Sequence, residues 1–334
     1  MTGLMRLPKA ELHCHIEGAV APGLLHRLAN RNGIRLPTAM FAPDGRYAWT
    51  DFSDFLDAYD RASECLRHPT DYRDIMYEYL MACAAEGAVY VEVFSSPDHA
   101  AAVGMSYAGH LEGLAAGIDD AFTETGIIGR VIVTCVRHLG PQRAVEIVGS
   151  MKAEPHPYVV GFGMGGDEHR FVLADFVPAF RLAHEAGYAC TVHAGEVAGP
   201  DSVRQAIDLL PVSRIGHGVR AAEDPRLLED IARRGIVLEV CPGSNLALGL
   251  YPDHASHPLP RLIAAGCRVT LNSDDPPFFG TSIGREYAAA AKHFGLSEAA
   301  LLRITETAVD AAFVDPETRL SLRQQLSGQS VRAH

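Results

Sequence analysis

No apolar run of about 18 residues occurs in the chain, so no membrane-crossing helix is expected. The opening residues, MTGLMRLPKAELHCH, turn polar before a signal-peptide core could form, and a cytoplasmic protein is expected. No C-x-x-C pair occurs among the 7 cysteines, at positions 14, 65, 83, 135, 190, 241 and 267. That argues against a disulfide framework and a thiolate zinc site, and leaves the cysteines as small buried hydrophobes. Positive charge is scarce: Lys+Arg number 29 against 41 Asp+Glu, a formal net charge of −12. A general binder of nucleic-acid backbones needs a basic face, so nucleic acid is not an expected partner. Lysine stands only at 9, 152 and 292, none of them ending a predicted central strand, which counts against two metals bridged by a carboxylated lysine. No Pro/Gly/Ser linker, charge block or low-complexity tract divides the chain, so residues 1–334 read as a single domain. Nothing in the sequence fixes an oligomeric state.

What is present is a regular alternation. Short apolar runs read as strands at 10–16, 89–94, 131–136, 158–163, 189–193, 214–217, 236–240 and 268–271. Most are aliphatic or β-branched over 4–7 residues, as strands buried on both faces require. Between them lie apolar residues at helical spacing, as in 176–183, 227–232 and 259–265, each closed by a glycine shortly after. Strand–helix alternation eight times over predicts an α/β fold, a (β/α)8 TIM-type barrel, with a doubly wound open sheet as the other possibility. The long interval 19–88 contains helical stretches at 52–66 and 72–85, which predicts extra helices over one mouth between strands 1 and 2. Residues 284–326 predict a helical C-terminus.

Polar residues fall where a barrel keeps its chemistry, at the C-terminal ends of strands. His13 and His15 are two apart and share a strand face. His193 and Glu196 close the fifth strand, His217 the sixth, and Asp274 and Asp275 follow the eighth. Three imidazoles and a carboxylate suit Zn²⁺, and His13, His15, His193 and Asp274 form the candidate ligand set, with room for a water. Glu196 lies three residues past a ligand, across a glycine, and can reach a substrate without binding the metal. Asp275 can face the same mouth, and His217 completes an acid/base group.

Each feature has a plainer reading: a core histidine for His-x-His, a strand-to-helix turn for HAGE, a capped turn for DDPP, a loop residue for His217. It is their joint placement at predicted strand ends that argues for a metal site. His254 and His257 are expected to have no catalytic role. Phe52, Phe55 and Tyr59 share a helical stripe that reads equally as core or as a substrate-facing gate. GFGMGGDE at 161–168 has neither P-loop nor dinucleotide spacing, and its glycines allow a backbone to approach a ligand closely.

In order, LPKAELHCHIEG, GFGMGGDE, TVHAGE, RIGHGV and LNSDDP resemble the adenosine deaminase/adenine deaminase family of metal-dependent amidohydrolases, over about residue 6 to at least 315. The resemblance implies a barrel with one Zn²⁺ per chain that hydrolyses a 6-aminopurine to its 6-oxo product and ammonia. His13, His15, His193 and Asp274 then correspond to the metal ligands. Glu196 would protonate purine N1, His217 would orient the attacking hydroxide, and Asp275 would accept a hydrogen bond from it. Gly166 matches a glycine whose N–H meets purine N3. Zinc deaminases built on H-x-E and P-C-x-x-C have a different centre, absent here. Glu17 stands where many adenosine deaminases carry an Asp that contacts the ribose 5′-hydroxyl, and HIEG is associated more with adenine deaminases. Gly165-Gly166-Asp167-Glu168 instead resembles the adenosine branch. The resulting expectation is adenosine or 2′-deoxyadenosine, with adenine, or a 5′-modified nucleoside such as aminodeoxyfutalosine, as the alternative. A different metallohydrolase on the same barrel, and a relative that kept only the fold, are the competing classes.

Overall fold

The computed structural model describes residues 7–331. Its strands are β1 (Lys9–Glu11), β2 (Ala88–Ser95), β3 (Ile128–Val136), β4 (Val159–Gly165), β5 (Ala189–Ala194), β6 (Arg214–His217), β7 (Val237–Val240) and β8 (Arg268–Leu271). They form one 8-stranded sheet in sequence order, every neighbouring pair parallel. Helices follow the strands, so the fold is the (β/α)8 barrel. β2 is buried along its whole length, which is why it reads as an apolar run broken only by Glu92 and closed by Ser95 rather than as an alternation.

The first strand is shorter than the sequence predicts, ending at Glu11 instead of 16. Beyond it the backbone turns its hydrogen bonds to the eighth strand's exit. His15 N–H donates to Asp274 O (2.9 Å), Asp274 N–H to His13 O (3.1 Å), and Cys14 pairs with Asp274 in a parallel bridge. Leu12 N–H donates to the Asn272 side chain at 2.9 Å. These bonds join the first and last strands, so the candidate ligands are carried by the segments that close the barrel.

Three helices fill the predicted interval, α1 (Pro22–Arg31), α2 (Phe52–Ser63) and α3 (Pro69–Ala85), and of these α2 lines the mouth. α2 starts where Asp51 accepts a hydrogen bond from Asp54 N–H (3.0 Å), an ordinary N-cap. Its aromatic stripe meets Phe278 and Phe279 from the short helix after β8, with Phe55 ring centroids 5.7 Å and 5.0 Å from them. The C-terminal stretch is helical as predicted, in segments Ile283–Phe294, Glu298–Ala311 and Pro316–Val331.

The barrel interior also carries a buried ion-pair chain. Arg214 of β6 reaches Glu92 of β2 and Glu239 of β7, each at 2.6 Å, with all three side chains sealed from solvent. Its guanidinium lies 3.6 Å from the Phe313 ring centroid. Buried charges of this kind need full pairing, and here the second carboxylate leads directly to the site.

Candidate active site and metal centre

His13 is fully buried among His15, His193 and His217, beneath the mouth. Its Nδ1 meets Glu239 Oε2 at 2.8 Å, while Nε2 is buried without a hydrogen bond, 3.5 Å from Asp274 Oδ1. His193 Nδ1 donates to Met164 O (3.0 Å), which turns its Nε2 toward His15 Nε2, 3.1 Å away. His15 Nε2 also lies 3.4 Å from Asp274 Oδ1. Ligand atoms of His13, His15, His193 and Asp274 all fall within 4.8 Å of one another. An outer carboxylate or carbonyl on the far ring nitrogen is the arrangement metal-binding histidines usually have.

The electrostatics fit a cation. Burial holds the His193 imidazole well below its ordinary range, and lowers His15 to about 4, so both offer lone pairs. At His13 burial is overridden by the carboxylates of Asp274 and Glu239, which bring it to about 9. Burial pushes the Glu196 carboxyl well up, with the charges of Asp274 and Glu168 adding to it. Burial likewise raises Asp275, next to the charges of Asp274 and Glu196. Several buried carboxylates crowded around converging imidazole nitrogens form a donor set that a divalent cation would neutralise.

Asp274 and His217 both adopt positive φ, 64° and 58°, which is uncommon for residues with side chains. Left-handed backbone of this kind costs about 1–2 kcal/mol per residue and is found where function holds it in place. His217 Nε2 faces Glu196 Oε2 at 3.6 Å and Asp274 Oδ2 at 3.8 Å. Its tautomer follows from its neighbours. His257 Nδ1 accepts from Leu259 N–H (3.2 Å), so His257 Nε2–H donates to Asn245 Oδ1 (3.1 Å). The Asn245 amide is thereby turned so that its N–H₂ donates to His217 Nδ1 (3.4 Å). The proton of a neutral His217 therefore sits on Nε2, on the side of Glu196 and Asp274. His257, expected to have no catalytic role, is buried and reaches His217 through the Asn245 amide; His254 stacks instead on His293, with ring centroids 4.0 Å apart.

A cavity of about 730 Å³, including its open mouth, brings the sequence candidates together: His15, Glu17, Phe55, Tyr59, Gly166, His193, Glu196, His217, Asp274 and Asp275 line it. Gly166 has φ +94°, a conformation suited to glycine. Phe55 and Tyr59 are packed in the core and also form part of the cavity wall, with Phe52 beside them. Glu17 is clamped: Oε1 accepts from the Ser95 hydroxyl (2.9 Å) and Ser96 N–H (3.1 Å), and Oε2 from the Tyr59 hydroxyl (3.4 Å). Glu168 points away from the cavity's ligand space and binds the backbone that follows β5.

Sequence reasoning missed Glu239, Asn245 and the backbone role of Glu168. Glu239 had a signal, a lone charge in the apolar strand VLEV. Asn245 and Glu168 had none, because their partners lie far along the chain.

The barrel and its histidine–carboxylate mouth define a metal-dependent hydrolase of the amidohydrolase kind, and the chain belongs to the adenosine deaminase family, whose model matches residues 8–329. Within it the chain is 52% identical over 321 residues to an adenine deaminase of Chelativorans sp. (strain BNC1), covering 96% of this chain and 98% of that one. An adenine deaminase of Mesorhizobium japonicum is 50% identical with the same coverage of both chains, 96% and 98%. Among solved structures, an adenine deaminase from Arthrobacter aurescens superposes with TM-score 0.89 at 29% identity, over 96% of this chain and 98% of that one. An amidohydrolase from Burkholderia ambifaria with bound Zn gives 0.90 at 31% identity, over 98% and 93%. Among the described residues no helix is long and apolar enough to cross a membrane.

Proposed function

We propose that the chain is a zinc-dependent aminohydrolase, one Zn²⁺ per chain, that converts adenine to hypoxanthine and ammonia in the cytoplasm. The observation that carries the reaction is the convergence of four ligand atoms beside an acid, Glu196, and an oriented imidazole, His217. The choice of adenine over adenosine is supported by Glu17 and by the relatives. With both oxygens held by Ser95, Ser96 and Tyr59, Glu17 occupies the wall where a ribose would have to extend. GGDE, which favoured a nucleoside, carries little weight, because Glu168 is engaged with backbone N–H groups and not with the ligand space.

His13, His15, His193 and Asp274 would hold the metal, with Glu239 fixing His13 through Nδ1. When bound, a divalent cation supplies Lewis acidity and brings a water's pKa to about 7. The protein's own groups do the rest. Glu196, kept protonated by burial and neighbouring charge, gives its proton to purine N1 and leaves C6 electron-poor. His217 presents Nε2–H to the nucleophile's oxygen, and Asp275 Oδ1, buried without a hydrogen bond, accepts from it. Gly166 N–H reads N3, while Phe55 and Tyr59 exclude water from the ring.

Two variants separate metal binding from proton transfer. Glu196→Gln should keep its metal and lose at least about 100-fold in kcat on adenine. Asp274→Ala should lose metal and turnover together. Near-parental turnover in Glu196→Gln, or full metal occupancy in Asp274→Ala, would contradict these assignments.

A further inference from the structure

Glu196 is aimed by its backbone. Among the described residues no side-chain or backbone donor hydrogen-bonds its carboxyl, whose ion-pair contact is His217 Nε2 at 3.6 Å. What holds that backbone is a single buried carboxylate. Glu168 Oε1 accepts from Gly195 N–H (2.8 Å) and the Ser202 hydroxyl (2.9 Å). Its Oε2 accepts from Glu196 N–H (3.0 Å), Val197 N–H (2.7 Å) and Ala198 N–H (2.9 Å). Successive N–H groups converge this way only when the chain curls into an anion-binding nest, and Gly195 supplies the curl with φ +69°. The other side of the segment is pinned by Arg220, whose guanidinium donates to Val197 O (2.7 Å) and whose N–H donates to Gly195 O (2.9 Å).

We propose that Glu168 is a positioning residue for deamination: its carboxylate holds Gly195–Ala198 in the one curl that points the Glu196 carboxyl at the purine edge. This rests on Glu196 being the proton donor. Glu168 comes from the loop after β4, the same loop that brings Gly166 to the cavity, so one short stretch sets both the N3 contact and the N1 acid. Its negative charge also favours the protonated form of Glu196. A glutamine cannot replace it, because its amide N–H₂ would face backbone donors that need an acceptor.

The test is a double-mutant cycle on the zinc-loaded protein with adenine as substrate, using Glu168→Gln, Glu196→Gln and the pair, alongside amide hydrogen exchange. Glu168→Gln should retain zinc, lower kcat about 100-fold with little change in KM, and strip protection from the amides of 195–198. In the Glu196→Gln background it should cost nothing further, since the group it aims is already gone. An equal loss in both backgrounds, or parental kcat with the exchange pattern unchanged, would overturn the proposal. Should Glu168→Gln fail to fold, Glu168→Asp carries the same cycle: its shorter reach should give a smaller loss that again vanishes beside Glu196→Gln, and an additive loss overturns it. Failure of the donor assignment shows separately, as parental turnover in Glu196→Gln alone.

Discussion

At Gly18, one residue past Glu17, a hydrogen in place of a side chain makes room for Asp275. A Cβ there would lie 1.7 Å from Asp275 Oδ1 and 2.6 Å from its Cγ. Gly18→Ala should therefore displace Asp275 without touching any candidate metal ligand. The expected result is unchanged zinc content and kcat on adenine lower by about 100-fold, the usual scale for a reacting group moved by about an ångström. Metal analysis and steady-state kinetics on one preparation check it; parental kcat would remove Asp275 from the reaction. At this scale the sequence was readable where chemistry interrupts apolar pattern. His13, His193, His217, Asp274 and Asp275, with the half-buried His15, stand out because uncompensated polar groups do not belong at buried strand ends. Gly18, Asn245 and Glu168 were not readable as to role, since each acts on a partner that sequence spacing does not reveal.

Among the elements, the strands were the most readable and the closing seam the least. β6 and β8 fall where the apolar runs place them, at 214–217 and 268–271. β1 does not, because the bonds of His13 and His15 to Asp274 depend on where the eighth strand arrives. The helices between β1 and β2 depend on a close approach that composition alone does not announce. α3 packs against the helix Tyr107–Thr125 across Gly113, where a Cβ would come within 2.2 Å of Pro69 O. Gly113→Ala must push the two helices apart, since the obstacle is backbone and cannot rotate aside. A loss of about 1–3 kcal/mol in unfolding free energy is expected, with the zinc stoichiometry intact. Denaturant titration measures it, and an unchanged midpoint would mean the helices separate without cost.

For the whole molecule, one line of contacts runs from the barrel's interior to its chemistry: Glu92, Arg214, Glu239, His13. The fold thus orients the candidate ligand set from below, while α2 lines the cavity above it with Phe55 and Tyr59. Barrel class and mouth were readable because alternation of strand and helix is a global pattern that survives local errors. Substrate choice was not, because Glu17 and GGDE pointed to different purines; the adenine reading proposed above draws its support from the relatives and from the partners that hold each carboxylate. The decisive measurement is ultraviolet-monitored turnover by zinc-replete protein with adenine and adenosine side by side. On the proposed reading, in which the clamped Glu17 denies space to a ribose, adenine should be deaminated with kcat/KM at least about 100-fold above adenosine. A preference for adenosine would contradict this, and would make Glu17 a contact of the sugar instead of its barrier.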